Sequence, residues 1–562
     1  MKKVTSIVVL LMLAMSPMSA QDVIEIIYQG TTATVNVPGS ITDVVKSVSG
    51  ANVTITSNTT SQEYIYQVKG TSTDGSLTIN GDYKLTLQLA GVTLTNAHGG
   101  AAIDVECGKR IAVELAEGTV NTLSDAATGS QKAALYFKGH AEFKGEGKLN
   151  VRGKLKHAIS AKEYLELKSS TGTINVLEAV SDGIHCGKGK LNNENNYFLM
   201  KGGIVNITNV GGDGVDSDDY GVVRIEGGTL SVNIKDDASG LKADSTVTIK
   251  DGTINISVKG TDSKGIRASY AVNIMGGKTT IMVEGDGSKG IKAKRYESGS
   301  TVLYGGEFNM SGGELSIQCN GGNLDDGSEV TKCVAVSVDA DLKQTAGNAD
   351  IAVFGPEALA CTVDGSESHT GGKFVVTRVP WDYQAGNYQY EMAVYVAVSN
   401  NGVRLSNYDN VTVGAFKGDE CVGYGVFEGN DYGVIRVKSN STSASSLTFK
   451  LYRFTDQAEY SLTPSKTVTF QKDANVGEPS NPVVLNCSMM LMGDANGDGE
   501  VNVSDIVEIV NDIMGKTSSK FVKALADMNN DGEINVTDIV KVVSIIMSSN
   551  NAARVKTPTL IP

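Results

Sequence analysis

Tryptophan occurs once in the 562 residues and proline nine times. A single Trp leaves little of the flat aromatic surface on which the apolar face of a pyranose stacks, so a platform for crystalline cellulose is not expected. Proline lies well below its usual ~5 per cent. Glycine has no three-residue period, which excludes a collagen-like chain. Beyond the N-terminus no stretch approaches the ~18 consecutive apolar residues of a membrane-spanning helix. Basic charge is also short. Lys and Arg number 49 against 63 Asp and Glu, a formal net charge of −14, which argues against nucleic acid as a partner and suits a solvated surface or bound cations. The seven cysteines are odd in number and none sits in a C-x-x-C pair. Zinc-ribbon and thioredoxin-like readings are therefore weak, and buried free thiols are expected.

What is abundant is glycine, 64 residues or about 11 per cent, with many Val, Ile and Thr. Hydrophobic residues make up 40 per cent, too many for a disordered chain. This is the composition of short strands joined by tight turns. Residues 1–20 read as a signal peptide. Lys2 and Lys3 precede a short apolar run from Ile7 to Met15, and cleavage after Ala20 is expected, so the chain should be exported to the medium or the cell surface.

The mature chain carries a repeat. Ala158-Ile159, Gly183-Ile184, Gly214-Val215, Gly240-Leu241, Gly265-Ile266 and Gly290-Ile291 recur at intervals of 25 to 31 residues. Earlier members are Ala102-Ile103 and Ala134-Leu135, and Ala358-Leu359 is read as a later one. A second series, including Gly227-Gly228 and Gly276-Gly277, precedes alternating apolar and polar runs. Alternation with period two marks strands with one buried face. A unit of about 25 residues cannot bury that face alone, and stacked units can, so the repeat predicts a parallel β-helix with the small-residue pairs at its turns. The strands of residues 22–70 are expected to cap it. Longer alternating strands after residue 380 predict a β-sandwich. The expected layout is signal peptide 1–20, β-helix 21–378, sandwich spacer 379–486, a small α-helical module 487–550 and a tail 551–562.

The C-terminal module holds the sharpest motif. Asp494, Asn496, Asp498, Glu500, Asn502 and Asp505 stand at positions 1, 3, 5, 7, 9 and 12 of a loop. The pattern recurs as Asp527, Asn529, Asp531, Glu533, Asn535 and Asp538. Hard oxygen donors with Gly at position 6 are what a Ca²⁺ loop requires. Each loop feeds a helix, from Asp505 to Met514 and from Asp538 to Met547. A duplicated calcium loop and helix without an entering helix resembles a type I dockerin. That resemblance implies Ca²⁺ as cofactor and a cohesin-like partner, docked at loop positions 10 and 11, here Val503, Ser504, Val536 and Thr537.

The repeat of residues 22–375 resembles a family of exported bacterial carbohydrate-binding domains similar in fold to pectate lyases. The resemblance implies a right-handed β-helix, bound Ca²⁺ and an acidic plant polysaccharide such as polygalacturonate. Aligning the repeats places Lys242, Arg267 and Lys292 in one column and Lys264 and Lys289 in another. Stacked like charges repel unless neutralised. A polyuronate would neutralise them, and so would Asp236, Asp237, Asp262 and Asp286. Asp213, Asp216 and Asp218 form an acidic turn that is a second Ca²⁺ candidate. His98, His140, His157 and His185 belong to no nucleophile motif and read as turn or packing residues. Non-catalytic binding is expected. A lyase or hydrolase is the alternative, with Asp182, Asp213 and Asp216 holding a metal and Arg224, Lys242 or Arg267 as base, and a surface adhesin or structural rod is a further one. Trp381, with Tyr383 and Tyr388, is the sole aromatic cluster apparent, read as a seal between the solenoid end and the sandwich.

Overall fold

The computed structural model describes residues 23–553, apart from 188–195, 236, 299–300, 326, 356, 382, 384–387, 401, 406–407, 409–410, 426, 428–431, 454–457, 488–491, 498–500 and 530–531. The expected signal peptide lies outside the described residues, as do Asp498, Glu500 and Asp531 of the calcium loops and Asp236. The chain divides into two compact units, one ending at Leu230 and the other beginning at Ser231.

The N-terminal unit opens with two antiparallel hairpins. Val23–Gln29 pairs with Thr32–Asn36, and Val44–Ser49 pairs with Asn52–Ser57. These strands, expected as a cap, also form the first rungs of two parallel ladders. Val23–Gln29 runs parallel to Ile65–Ser72, and Asn52–Ser57 runs parallel to Ser76–Gly81. From there strands one repeat apart pair in parallel. Leu77, Ile103, Leu135, Ile159, Ile184 and Val215 face one another in succession. Leu87, Val113, Phe143, Leu167, Met200 and Ile225 do the same on a second ladder. Both rows are buried, so each coil covers the apolar face of the next.

The C-terminal unit begins in the same way. Leu241, Ile266, Ile291, Val336 and Cys361 form one column. Ile256, Ile281, Ile317, Ile351 and Val376 form another. Two hairpins, Arg295–Ser298 with Thr301–Gly305 and Leu324–Asp325 with Val330–Thr331, lengthen one interval. They hide Ala335-Val336, the true successor of Gly290-Ile291. The next member is then Ala360-Cys361, two residues after the expected Ala358-Leu359. A shift of two keeps the same face buried, so alternation alone does not distinguish the registers.

The small-residue pairs are not all turns: Gly183 and Gly214 stand at bends just before Ile184–Cys186 and Val215–Ser217, but later members do not. Gly240, Gly265 and Gly290 lie inside the strands Ser239–Ala243, Lys264–Ala268 and Lys289–Ala293. A Cβ on Gly265 would stand 2.5 Å from the Gly290 carbonyl oxygen and 2.7 Å from Ile281 Cγ2. Glycine is there to let the coils approach. Left-handed backbone belongs to the second series, as at Gly228 with φ +87°.

After the ladders, Tyr390–Asn400 pairs antiparallel with Gly433–Ser439 and parallel with Val483–Cys487. Val411–Lys417 pairs antiparallel with Glu420–Gly425 and with Thr448–Arg453. Alternating residues of both groups, among them Val396, Val413, Ile435, Phe449 and Leu485, share one apolar core. Ala458–Pro464 is the further antiparallel partner of Thr448–Arg453. The last segment folds as helices α1 (Val503–Ile513), α2 (Lys523–Ala526) and α3 (Val536–Ala553) around Ala495, Ile509, Ala526 and Val542. Helices α1 and α3 start two residues before the expected Asp505 and Asp538. In α1, Asn502 is the N-cap and Asp505 closes a capping box. The one-turn α2, before the second loop, has no counterpart in the sequence pattern.

Candidate functional site

The basic columns form as the repeat predicts. Lys242, Arg267 and Lys292 alternate with buried Leu241, Ile266 and Ile291, so period two turns them away from the core. Lys264 and Lys289 are ladder neighbours on the same strands. Most of this charge is balanced within the fold. Asp262 Oδ1 lies 3.1 Å from Lys264 Nζ and 3.6 Å from Lys289 Nζ. Lys292 is paired with Asp339, a partner not expected from sequence, and donates to Ser337 Oγ at 3.2 Å. Asp286, expected as a counter-charge, accepts from the Gly322 amide instead. Arg267, between Lys242 and Lys292, forms no salt bridge among the described residues. Burial, with Lys264 and Lys292 close by, pulls the Lys289 ammonium below its ordinary pKa in spite of Asp262.

The acidic turn is built differently from expectation. Asp216 stands beside His185 on adjacent short strands, and His185 beside Ser160. His185 Nδ1 lies 3.2 Å from Asp216 Oδ2 and 3.2 Å from Asp182 Oδ2. His157 Nδ1 lies 3.0 Å from that same Asp182 oxygen. The two imidazoles stack with centroids 4.3 Å apart and planes 14° from parallel. Asp182 Oδ1 accepts from the Asp213 amide at 2.9 Å. Asp218 approaches His185 Nε2 only to 3.9 Å. Burial opposes charge on His185, but hydrogen bonds to Asp182 and Asp216 outweigh it and push its pKa up to about 9. Burial likewise opposes ionisation of Asp182, yet the two imidazoles hold it well below the usual carboxylate range. For His157 burial prevails over Asp182, and its pKa is lowered. Two of the histidines read from sequence as turn or packing residues, His157 and His185, thus lie among the expected metal ligands. The available signal was the repeat alignment, which sets His157 beside Asp182 and His185 beside Asp216.

A second grouping has no warning in the sequence pattern. His140, Tyr164 and Tyr197 occupy one ladder position and stack at 4.4 and 4.5 Å. Tyr164 donates to Glu142 at 2.9 Å. Beside them Glu166 is bound by Lys168 at 2.9 Å and Lys201 at 2.8 Å. Tyr164, the middle ring, has both faces covered by its neighbours. Trp381 is buried against Phe416, Tyr424 and Tyr452, and its Nε1 donates to Glu459 at 2.7 Å. Tyr424 donates to the Gly355 carbonyl at 2.8 Å. That is a packing role for Trp381 against sandwich residues, and the bond to the last coils is made by Tyr424.

In the helical module, Asp494 and Asp505 of the first loop and Asp527 and Asp538 of the second are buried. Both Asp505 oxygens accept backbone amides, from Asn496 at 3.1 Å and Asn502 at 2.8 Å. Asp538 repeats this with Met528 at 2.8 Å and Asn535 at 2.9 Å. Gly532, at position 6, has φ +84°. Buried carboxylates at the first and last positions, with further oxygen donors between, fit Ca²⁺ as the donor set requires. Asn496, Asn502, Asn529, Glu533 and Asn535 stand between those carboxylates. Val503, Ser504, Val536 and Thr537 are exposed at the starts of α1 and α3, the two valines at 64 and 65 per cent. Val507 and Val540, one turn on, are exposed as well and extend that surface.

Residues 49–321 match the family model of carbohydrate-binding domain-containing proteins. Residues 492–546 match that of the type I dockerin domain. No curated protein matches the chain. Among solved structures it is similar to a polysaccharide lyase-like protein from C. thermocellum, a gadolinium derivative, at 18% identity. That alignment covers 62% of this chain and 99% of the other, with a TM-score of 0.28. Among the described residues no helix is long and apolar enough to cross a membrane.

Proposed function

Because the chain carries a carbohydrate-binding domain and a C-terminal type I dockerin domain, we propose that it is an exported, Ca²⁺-dependent polysaccharide-binding protein that attaches through its dockerin. The ligand is an acidic glycan such as polygalacturonate, and binding is non-catalytic. The in-register column Lys242, Arg267 and Lys292 carries the glycan reading. A polyanion laid along the coils meets a basic side chain at each of three successive positions, with Arg267 free of internal salt bridges among the described residues. Asp262 and Asp339 limit what Lys264, Lys289 and Lys292 contribute.

Calcium belongs to the two C-terminal loops, where it supplies charge neutralisation for buried carboxylates. Residues Asp494, Asn496, Asp498, Glu500, Asn502 and Asp505, and their counterparts Asp527 to Asp538, hold it. The cohesin-like partner meets Val503, Ser504, Val536 and Thr537. The near-symmetry of the two halves would allow docking in two orientations.

The test is retention of the full chain on polygalacturonate and on cellulose, with and without EDTA. Retention on the polyuronate that falls with salt and in Arg267→Ala is expected, and the EDTA arm tests its dependence on Ca²⁺. Equal retention on both polymers, or none, overturns the acidic-glycan reading. Release of unsaturated product from the polyuronate would favour a lyase instead.

A further inference from the structure

The N-terminal unit brings nitrogen and oxygen donors to one point. His157 Nδ1 and His185 Nδ1 converge on Asp182 Oδ2 at 3.0 and 3.2 Å, and Asp216 Oδ2 is 3.2 Å from His185 Nδ1. The ligand-type atoms of His157, Asp182 and His185 lie within 4.8 Å of one another. All four residues are buried, at 3, 7, 9 and 3 per cent exposure for His157, Asp182, His185 and Asp216. This differs from the C-terminal loops, whose donors are all oxygen.

Ca²⁺ takes oxygen ligands, six to eight of them. Two imidazoles and carboxylates, four donors in all, are the preference of a borderline ion such as Zn²⁺. The present bonding also asks more of one proton than it can give. The single hydrogen on His185 Nδ1 faces oxygens of both Asp182 and Asp216, whereas an ion at that point meets the ligand atoms of His157, Asp182 and His185 together, with Asp216 Oδ2 on the far side of His185 Nδ1. The Asp213 amide on Asp182 Oδ1 holds the carboxylate in place, as outer-shell groups do in metal sites.

We propose that His157, Asp182 and His185, with Asp216 as fourth ligand, bind a divalent transition-metal ion of the Zn²⁺ class. The ion takes the Nδ1 lone pair of each imidazole, and any proton there leaves to solvent. His157, the Asp182–His185 pair and Asp216 come from three successive coils. A bound ion therefore ties three coils together, and it makes no use of Asp218. The inference is independent of the glycan and of the dockerin.

The test uses the full chain, stripped with EDTA and returned to excess Ca²⁺ so that the C-terminal loops are filled. It is then titrated with Co²⁺ as a spectroscopic stand-in, followed by Zn²⁺. One equivalent of Co²⁺ is expected to give visible absorption, displaced by Zn²⁺ and not by added Ca²⁺, and Zn²⁺ is expected to raise the melting temperature. His157→Gln and His185→Gln each weaken Co²⁺ binding about tenfold or more. His98→Gln, in an exposed pair with Asp74, leaves it unchanged. Absence of the absorption in the wild type, displacement by Ca²⁺, or undiminished binding in His185→Gln overturns the proposal. If a variant does not fold, the wild-type displacement series decides alone.

Discussion

Replacing Gly265 by alanine should destabilise the protein, although two effects of opposite sign compete. Alanine restricts the unfolded chain, which by itself favours folding by about 0.4–1 kcal/mol where the native backbone accepts it. Gly265 has no positive φ to forbid it. Against this, the new Cβ would lie 2.5 Å from the Gly290 carbonyl oxygen and 2.7 Å from Ile281 Cγ2. The first distance is 0.9 Å inside the 3.4 Å at which ordinary contact begins. The obstacle is backbone of the next coil, so relief requires the coils to part along a fully buried column. Overpacking of this kind costs about 1–3 kcal/mol. The steric term wins, with a net loss of about 1–2 kcal/mol and a melting temperature lower by several degrees. Differential scanning calorimetry of the full chain measures this. Gly39, with nothing within 4 Å of its hypothetical Cβ, is the control, and Gly39→Ala should be neutral or slightly stabilising. A Gly265→Ala protein that melts at or above the wild type would refute the close-approach argument.

Other sites give further expected outcomes. Burial first, and Glu106 second, push the Asp104 carboxyl up to about 6, and its Oδ1 is buried without a hydrogen bond. The folded state therefore keeps this proton to higher pH than the unfolded chain. That contribution to stability is present below about pH 4 and is lost as pH rises through about 6. Asp104→Asn should stabilise the protein by about 1–2 kcal/mol at neutral pH and flatten that part of the pH–stability curve; an unchanged curve argues against it. Trp381→Ala should cost about 3–5 kcal/mol through the loss of a buried aromatic and leave retention on polysaccharide intact, as measured by denaturation and pull-down on the folded variant. Circular dichroism of the full chain should gain helical signal when Ca²⁺ is added after EDTA, and Asp505→Ala with Asp538→Ala should abolish the gain. The Cys186 thiol, wholly buried and with its pKa raised by burial, should resist alkylation at neutral pH until the chain unfolds, as peptide mass mapping can follow.

The dockerin module was legible because its marked residues fall within twelve positions of one another, twice over. Oxygen donors at fixed offsets with Gly at position 6 have one chemical use, and no distant part of the chain is needed to see it. The basic columns were legible for a related reason: a strict 25-residue interval makes Lys242, Arg267 and Lys292 neighbours by arithmetic. Where the interval changes, the pattern loses register. The two hairpins between Ile291 and Val336 conceal one coil and displace the next by two residues. Glycine is ambiguous as well. In a sequence, a Gly needed for turning and a Gly needed for clearance look alike, and only Ile281 and the Gly290 carbonyl against Gly265 tell them apart.

By itself, then, the sequence determined the repeating strand texture, the C-terminal dockerin module and the order in which they occur, since all three are written in local periodicity and spacing. Only the tertiary structure decided what each polar side chain does once the coils stack. It matched Lys292 with Asp339 and stacked His140, Tyr164 and Tyr197. It also set two histidines on one aspartate. The physical reason is that side chains 24 to 47 residues apart, as in His140 with Tyr164, His157 with Asp182 and Lys292 with Asp339, become neighbours through the ladder, and which of them meet depends on register, coil length and burial.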